Sequence, residues 1–481
     1  MGPVPELDAR AQACADRLLT AEEVLLASHI DADGLTSAAI ASTALERAGL
    51  AHEVVFKKQL DAEEIASIAA MEYETVLFTD FGSGQLDVIS QHVDDGDFEA
   101  VIADHHQPSD AGDCAPGFED TDGYGDFAWH LNPLLEGIDG ASELSGAGAS
   151  YVLARALGGD RNRDLAALAV VGAVGDMQAT GGELRGANER VVADGVDAGV
   201  VTEARDLSLY GKQTRPLPKL LEYASDVHIP GISNDESGAI AFLEDLGLDL
   251  RSDGDWRRWV DLSDGERQTL ASALVQRAVS RGVPAEKIDR LVATTYTFPN
   301  EPEGTELRDA SEFSTLLNAT ARYERADVGL AVCLGERGEP LERARRLLAN
   351  HRRNLSEGID WVTQQGVEQR EHVQYFNADD RIRETIVGIV AGMALGNEGV
   401  SRSKPIVAFA RKSDGELKVS ARGTGVLVGQ GLDLSVVMRE ASRAVDGDGG
   451  GHDVAAGATI PDGHEEAFLD AADRIVGDQL D

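Results

Sequence analysis

Four short apolar segments near the start of the chain are each followed by aspartate or histidine, and this repetition constrains the fold more than any other feature. In the first, residues 24–27 (Val-Leu-Leu-Ala) precede His29-Ile30-Asp31-Ala32-Asp33-Gly34, and residues 36–48 are rich in alanine and leucine. This order predicts a buried strand, a polar turn and a helix. The turn then lies at a strand end, where open parallel sheets bind their ligands.

The other three segments repeat this order. They are residues 75–79 before Asp80, residues 100–103 before Asp104-His105-His106, and an apolar helix predicted over 164–174 before Gly175-Asp176. Alternating strands and helices predict an α/β protein whose mostly parallel sheet is covered on both faces. Each polar group alone is also typical of a turn, a surface histidine pair or a helix end. Because parallel strands end at one edge, their joint occurrence favours convergence at a site.

The first turn carries metal-binding chemistry. His29, Asp31 and Asp33 are two residues apart, so a strand continuing through them would point all three to one face. Imidazole nitrogen with carboxylate oxygen suits Mn²⁺, Mg²⁺ or Zn²⁺. Several uncompensated aspartates in one place would repel each other and shift their pKa values, so such a cluster requires cations.

Length and composition indicate the number of domains and the environment in which the protein works. Its 481 residues are enough for two or three domains, and 85 acidic against 43 basic residues give a net charge of −42. This excess predicts a halophile's protein kept soluble in screening salt, the alternative being simply an acidic protein. In so acidic a chain, the absence of a basic surface therefore does not exclude nucleic-acid binding. Three scattered cysteines predict reduced thiols in the cytoplasm, and no apolar run reaches the ~18 residues of a membrane span.

The ordered motifs carry a family resemblance. They are His29-x-Asp31-x-Asp33-Gly34, Asp80, Asp104-His105-His106 and Gly175-Asp176, with Asn132-Pro133 and Ser145-Gly146-Ala147-Gly148 between the last two. The set resembles the motifs of the DHH phosphoesterase family and, within it, archaeal RecJ-like single-strand exonucleases, here of haloarchaeal type. The resemblance implies a two-lobed α/β protein, with a mostly parallel DHH catalytic domain and a smaller α/β DHH-associated domain containing a helical insertion.

The resemblance also implies a site with two metal ions, expected to be Mn²⁺, with Mg²⁺ as the alternative. The implied ligands are His29, Asp31, Asp33, Asp80, His105 and Asp176. Asp80 is expected to bridge the two ions, His106 to face the phosphate and Asp104 to support the site. Bacterial RecJ proteins commonly carry aspartate at the position of His29, whereas other DHH branches carry histidine.

A second polar pattern occurs near the end of the chain. Ser420-Ala421-Arg422 places a hydroxyl and a guanidinium on one strand face, and Gly449-Gly450-Gly451-His452 forms a glycine-rich loop whose backbone can approach an anion. Together they resemble the DHH-associated domain. The implied substrate-binding residues are Ser420, Arg422, Gly450, Gly451 and His452.

These patterns predict three parts of the chain. Residues 1–190 form the catalytic domain, 191–285 a mainly helical connection, and 286–481 the DHH-associated domain with its helical insertion at about 337–400. A strand is expected over residues 328–334 within the last part, and a hairpin around Ser413-Asp414-Gly415.

The predicted function is hydrolysis of single-stranded DNA or RNA from an end, with water activated by two metal ions. Replication or repair proteins are further candidate partners. One alternative is a DHH phosphodiesterase for short oligonucleotides or cyclic dinucleotides. The other is a non-catalytic replication or repair scaffold, which the filled ligand positions disfavour.

Overall fold

A computed structural model describes residues 2–109, 129–224, 227–397, 399–412 and 415–480. The chain divides into two compact units, Met1–Arg345 and Arg346–Asp481, and each is described by itself. The predicted hairpin residues Ser413 and Asp414 lie outside the described part, as does Cys114.

The described part of the first unit contains nine strands. They are β1 (Glu23–His29), β2 (Ala51–Lys57), β3 (Thr75–Thr79), β4 (Glu99–Ala103), β5 (His130–Leu131), β6 (Thr202–Leu207), β7 (Arg251–Ser252), β8 (Asp255–Trp256) and β9 (Val292–Thr297). Its helices are α1 (Asp8–Leu18), α2 (Ala32–Ala48), α3 (Ala62–Ala69), α4 (Leu86–Asp95), α5 (Gly146–Gly158), α6 (Ala166–Gly175), α7 (Ala187–Asp197), α8 (Leu217–Glu222), α9 (Glu236–Glu244), α10 (Asp264–Ser280), α11 (Ala285–Asp289), α12 (Ala310–Arg322) and α13 (Ala326–Cys333).

The second unit begins within the long helix α14 (Glu339–Gln365). Its strands are β10 (Glu368–Gln369), β11 (Gln374–Asn377), β12 (Ile406–Arg411), β13 (Glu416–Arg422), β14 (Asp448–Gly451) and β15 (Ala455–Pro461). Its remaining helices are α15 (Glu384–Ala394), α16 (Gly425–Gly429), α17 (Leu434–Arg443) and α18 (Glu465–Leu480). No helix in the described ranges is both long and apolar enough to span a membrane.

The organising element of the first unit is a five-stranded parallel sheet in the order β2-β1-β3-β4-β5. Residues 24–27 of β1 are fully buried, as a strand covered on both faces must be. On one face, Ile65 of α3 and Ile89 of α4 join the apolar core of the sheet. On the other, α2 packs against α5 and α6. The predicted α/β class with a mostly parallel sheet is confirmed.

Residues 200–297 extend the first unit. Strand β6 pairs antiparallel with β9, and the helices between them share a separate apolar core that includes Leu217, Trp259 and Leu274. Helix α12 follows β9 and packs against α2 and α6. This packing brings residues after 300 beside the carboxyl end of the parallel sheet.

The second unit is a six-stranded mixed sheet in the order β10-β11-β12-β13-β15-β14. Only the β11–β12 pair is parallel within its described strands. Helices α17 and α18 cover one apolar face, with Phe409 packed edge-on against Phe468. Helix α15 packs against β12 and β13.

One predicted strand is wrong. Residues 328–334 belong largely to helix α13, Ala326–Cys333, in which Val328 and Val332 are buried four residues apart. A short apolar run has no periodicity that separates a buried strand from a buried helix.

Candidate metal centre

The turn after β1 does not place its polar side chains by alternation along one strand, as predicted. Strand β1 ends at His29, Asp31 is the N-cap of α2, and Asp33 lies in the first helical turn. The Asp31 carboxylate accepts a hydrogen bond from Gly34 N at 3.0 Å, as an N-cap does. The expectation that one strand face carries all three side chains is therefore wrong, because the helix begins two residues earlier than a continuing strand would allow.

Asp80 occupies the centre of the cluster. It follows β3 with a left-handed backbone (φ 60°) and is 2% exposed. Its Oδ1 is buried and has no hydrogen-bond partner in the described part of the chain. A Cβ on Gly146 would lie 2.3 Å from this oxygen, so glycine at the start of α5 is what admits the carboxylate. A buried carboxylate oxygen without a donor is costly unless a cation occupies its vicinity.

His29 is oriented by its second nitrogen. Its Nε2 lies 3.1 Å from the Lys58 carbonyl oxygen, which can only accept, so Nε2 carries the proton. Its Nδ1 faces Asp31 Oδ1 at 3.2 Å and Asp80 Oδ2 at 3.5 Å. In the neutral tautomer that nitrogen presents a lone pair toward two carboxylates, which is the arrangement of a histidine ligand fixed by a backbone carbonyl.

His105 shows the same design on the other side of Asp80. Its Nδ1 donates to the Gly140 carbonyl oxygen at 2.7 Å, and its Nε2 lies 3.3 Å from Asp80 Oδ1. Asp33 Oδ2 is 3.8 Å from the same Nε2, and Asp176 Oδ2 is 3.8 Å from Nδ1. The carboxyl ends of β1, β3 and β4 and the end of α6 therefore meet here.

Asp33 is held by a distant helix. Its two carboxylate oxygens accept hydrogen bonds from Gly146 N at 2.7 Å and Ala147 N at 3.0 Å, at the N-terminus of α5. Backbone N–H groups and the positive end of the helix dipole compensate part of its charge. Asp176 is the C-cap of α6, and Gln178 Nε2 donates to its Oδ2 at 2.9 Å.

Asp104 and His106 form a separate pair. The Asp104 Oδ2 accepts from Ser83 N at 2.9 Å, and its Oδ1 accepts from His105 N at 2.7 Å and His106 Nδ1 at 2.8 Å. The carboxylate is fully buried, whereas the His106 side chain is 55% exposed. Asp104 thus holds the ring of His106 and the backbone after β4, and His106 presents its other nitrogen outward.

The electrostatics of the cluster demand positive charge. Burial, with the neighbouring Asp80 and Asp176 charges, raises the pKa of Asp33 well above its usual range. Burial likewise raises the pKa of Asp176 to about 6. For Asp80, burial opposes ionisation, but His105 and His29, when their rings are charged, outweigh it and lower its pKa to about 2. Carboxylates this close resist simultaneous ionisation unless cations join them.

The donor set fits divalent metal ions. Three groups of ligand atoms each lie within 4.8 Å of one another: His29, Asp31 and Asp80; Asp33, His105 and Asp176; and Asp80, Asp104, His105 and His106. All six predicted ligands fall in the first two groups, which adjoin at Asp80. Carboxylate oxygen with imidazole nitrogen suits Mn²⁺ and Mg²⁺ chemistry, and the unpartnered Asp80 Oδ1 supplies a donor oxygen for such ions.

Sequence reasoning missed several groups that support the ligands. Gln178 Nε2 donates to the Gly140 carbonyl oxygen as well as to Asp176, and Asn188 donates to Gln178. Ser83 links Asn132 and His130 to the Asp104 region. Gln178 could have been identified from the sequence, because it is only two residues from Asp176. Nothing in the local sequence identifies Gly140 or Asn188 as supporting residues.

The second unit brings most of the predicted substrate residues together. Ser420 pairs with Gly457 across β13 and β15, and Gly457 pairs with Gly450 of β14, so these three positions share one face. Arg422, two residues after Ser420, lies on the same face. Gly451 is on the alternate face, and His452 follows β14 as an exposed residue.

Two neighbours complete this surface. A Cβ on Gly388 of α15 would lie 2.6 Å from Arg422 Nη2 and 3.0 Å from Ser420 Oγ, so glycine leaves the room these side chains use. Lys418, also on β13, lies near Gly457, and burial lowers its pKa. No atom of the described residues lies within 4 Å of a Cβ placed on Gly450, so the surface there is open. We call Lys418, Ser420, Arg422, Gly450 and Gly457 the β13 face.

The sheet edge and its acidic–histidine cluster support assignment to the metal-binding phosphoesterases. Two family models match the chain: the DHH-CID domain over residues 209–292 and the DHHA1 domain over residues 370–478. An uncharacterised protein of Methanocaldococcus jannaschii is 30% identical over 456 residues, 94% of this chain and 93% of that protein. The chain belongs to the DHH family, as the sequence motifs predicted.

Solved structures share the fold. RecJ from Thermus thermophilus in complex with Mn²⁺ matches 99% of this chain and 55% of its own, with 17% identity and a TM-score of 0.58. This chain therefore spans about half the length of that RecJ. CDC45 from Entamoeba histolytica matches 98% of this chain and 97% of its own, with 12% identity and a TM-score of 0.62. The architecture is RecJ-like.

Proposed function

We propose that this protein is a metal-dependent exonuclease that hydrolyses single-stranded DNA or RNA from an end. The observation that carries the proposal is the convergence of six metal-competent side chains, among them Asp80, whose buried Oδ1 accepts no hydrogen bond from the described residues. Family membership and the likeness to a Mn²⁺-bound RecJ support it.

His29, Asp31 and Asp80 would hold one metal ion, and Asp33, His105 and Asp176 the other, with Asp80 placed to contribute to both. We expect Mn²⁺, with Mg²⁺ as an alternative. Such a pair of ions lowers the pKa of a bound water and stabilises the attacking and leaving oxygens of a phosphodiester.

The protein's own groups position the scissile phosphate. His106, exposed and held by Asp104 through Nδ1, offers its outer nitrogen to a phosphate oxygen. Because Asp104 accepts at Nδ1, the proton stays on that nitrogen in the neutral ring, and Nε2 donates only when the ring is charged. The hydrogen bond to Asp104 raises the pKa of His106 and favours this donating form.

In this proposal the β13 face binds the strand. Arg422 supplies a bidentate cation for phosphate, Ser420 a hydroxyl, and Gly450 an open backbone beside them. Gly451 ends strand β14 and His452 follows it, so the predicted glycine-rich loop is in fact an edge strand of the sheet. Because the chain carries a charge of −42, these local donors must supply affinity that an overall basic surface would otherwise give.

The test uses single-stranded DNA and RNA, each labelled at its 5′ or 3′ end, with Mn²⁺ in multimolar KCl. Wild type should release labelled mononucleotides from one end, whereas the Asp104→Ala, His105→Ala variant should not. His464→Ala, an exposed substitution in the second unit, is the matched control and should behave as wild type. Circular dichroism checks that each variant is folded.

Other outcomes would replace the proposal. Cleavage of dinucleotides or cyclic dinucleotides but not of long strands would favour the small-substrate alternative. A folded protein that cuts nothing and holds no Mn²⁺ would favour a non-catalytic replication or repair scaffold.

A further inference from the structure

A cavity of about 400 Å³ lies beside the metal centre in the first unit. Val174 and Met177, on either side of Asp176, form part of its wall. The segments 179–182 and 208–212, strand β9 with Arg290 before it, and the start of α12 contribute other parts. Helix α12 approaches closely here, because a Cβ on Gly175 would lie 3.3 Å from the Ser314 Cβ. The cavity therefore begins where the metal-ligand cluster ends.

Hydroxyl groups dominate the polar wall of this cavity. Ser208, Thr294 and Ser311 line it, and their side-chain hydroxyls make no hydrogen bond within the described ranges. Each is a donor and an acceptor with capacity to spare. Tyr210 and Tyr296 line it as well and add aromatic surface.

Two cationic residues, Lys212 and Arg290, and one carboxylate, Asp309, line the cavity. Arg290 lines it and forms no ion pair or hydrogen bond through its side chain with any described residue. Arg215 lies 4.6 Å over the Tyr210 ring and places another guanidinium behind that wall. Lys212 is 3% exposed and paired with Asp206.

The lining carboxylate, Asp309, is already engaged. Its Oδ1 accepts hydrogen bonds from Ser311 N at 3.0 Å and Glu312 N at 3.2 Å as the N-cap of α12. It is buried beneath the wall at 5% exposure. Among the charged lining side chains, Arg290 is thus the one without a partner among the described residues, and its guanidinium favours an anion.

We infer that this cavity is a nucleotide-binding subsite, which holds one nucleotide of the single strand adjoining the phosphate at the metal centre. The inference rests on the proposed function. Its volume is in the range of small-ligand sites, Arg290 and the hydroxyls match a phosphate and a sugar, and the tyrosines match a base. Met177, left-handed (φ 63°) and 70% exposed, follows Asp176 in the chain and lines the cavity.

The test is equilibrium binding of end-labelled hexathymidylate and hexauridylate to the full chain. Ca²⁺ replaces Mn²⁺, because it takes the same oxygen ligands. Loss of a charged hydrogen bond in Arg290→Ala should raise Kd about tenfold, and Thr294→Val should raise it about fivefold. Arg281→Ala removes an equal charge from an exposed position that does not line the cavity, and its Kd should stay within about twofold of wild type.

Each outcome decides the inference. Equal Kd values for Arg290→Ala and Arg281→Ala, or no binding of the strands by wild type, would overturn the nucleotide subsite even if the protein cuts strands. A selective loss at Arg290 in a protein that cuts no strand would overturn the proposed exonuclease and leave the subsite standing.

Discussion

The metal-ligand cluster of the first unit and the β13 face of the second differ in charge and in burial. Asp80 and three further carboxylates are crowded together with two imidazoles, and three of these side chains, Asp33, Asp80 and His105, are nearly inaccessible. On the β13 face, Arg422 and Lys418 lie beside glycines, and the surface at Gly450 is open. The first region attracts cations to relieve repulsion, whereas the second carries half-buried cationic donors that suit an anion, with Ser420 beside them at 5% exposure. In the proposed function, the first surface holds metal ions and the second contributes donors to phosphates of the strand.

The prediction with the largest expected effect compares two buried carboxylates of the cluster. Asp80 has an oxygen without a donor, whereas both oxygens of Asp104 accept hydrogen bonds. Asp80→Asn should lower the bound Mn²⁺ and slow hydrolysis by about 10³-fold, because metal ions supply several kcal/mol of transition-state stabilisation. Asp104→Asn should keep the metal and lower kcat by about 10- to 100-fold.

Metal content by atomic emission and kcat by strand hydrolysis measure both variants. Equal metal loss in the two variants would contradict the distinction between a ligand and a positioning carboxylate.

The next effect concerns His106, which is exposed where the other cluster residues are buried. His106→Asn should lower kcat by about 10²-fold, because one donor to the developing charge is lost. Mn²⁺ content should be unchanged, since the two ligand groups that adjoin at Asp80 do not use this residue. Single-turnover hydrolysis measures the rate, with His464→Asn as control; a fall in Mn²⁺ content would make His106 a ligand instead.

Substitutions on the β13 face should change KM and not kcat. Arg422→Ala is expected to raise KM about tenfold with kcat nearly unchanged, because a charged hydrogen bond to phosphate is lost. Arg422→Lys should recover part of this affinity, since it keeps the charge but loses the planar fork. Initial rates against strand concentration give both constants, with the exposed Arg443→Ala as control. A fall confined to kcat would remove Arg422 from strand binding.

The smallest effect concerns stability. Burial raises the pKa of Glu312 to about 7 from 4.5. The hydrogen bonds donated by Thr214 and by Gln213 N lower this pKa but do not outweigh burial. Asp309 raises this pKa further, and Arg215 lowers it. The folded protein then retains a proton that the unfolded chain releases above pH 4.5, so this stabilising contribution falls as pH rises toward about 7.

Urea unfolding across this pH window measures the effect, with exposed Glu286→Gln as control. Glu312→Gln should flatten the dependence of the unfolding free energy on pH. An unchanged slope in Glu312→Gln would place the titration elsewhere.

The strand ends could be predicted because their signals are local. Apolar runs before Asp80 and Asp104 identify parallel strands, and parallel strands share an edge. The strand predicted over 328–334 is wrong because its apolar run fits a buried helix equally well. The domain boundaries at 190 and 285, the halophilic setting and the Mn²⁺ preference stay predictions.

The sequence by itself determined which side chains the sheet edge carries, since their order along the chain follows the order of strands and helices. Only the tertiary structure decided what each carboxylate does. Asp33 is held by Gly146 and Ala147, more than 100 residues away, and the free oxygen of Asp80 depends on the glycine at that same helix start. Such partners are fixed by packing between distant segments of the chain. The local periodicity of a sequence predicts which face a side chain occupies but not which distant residue it meets.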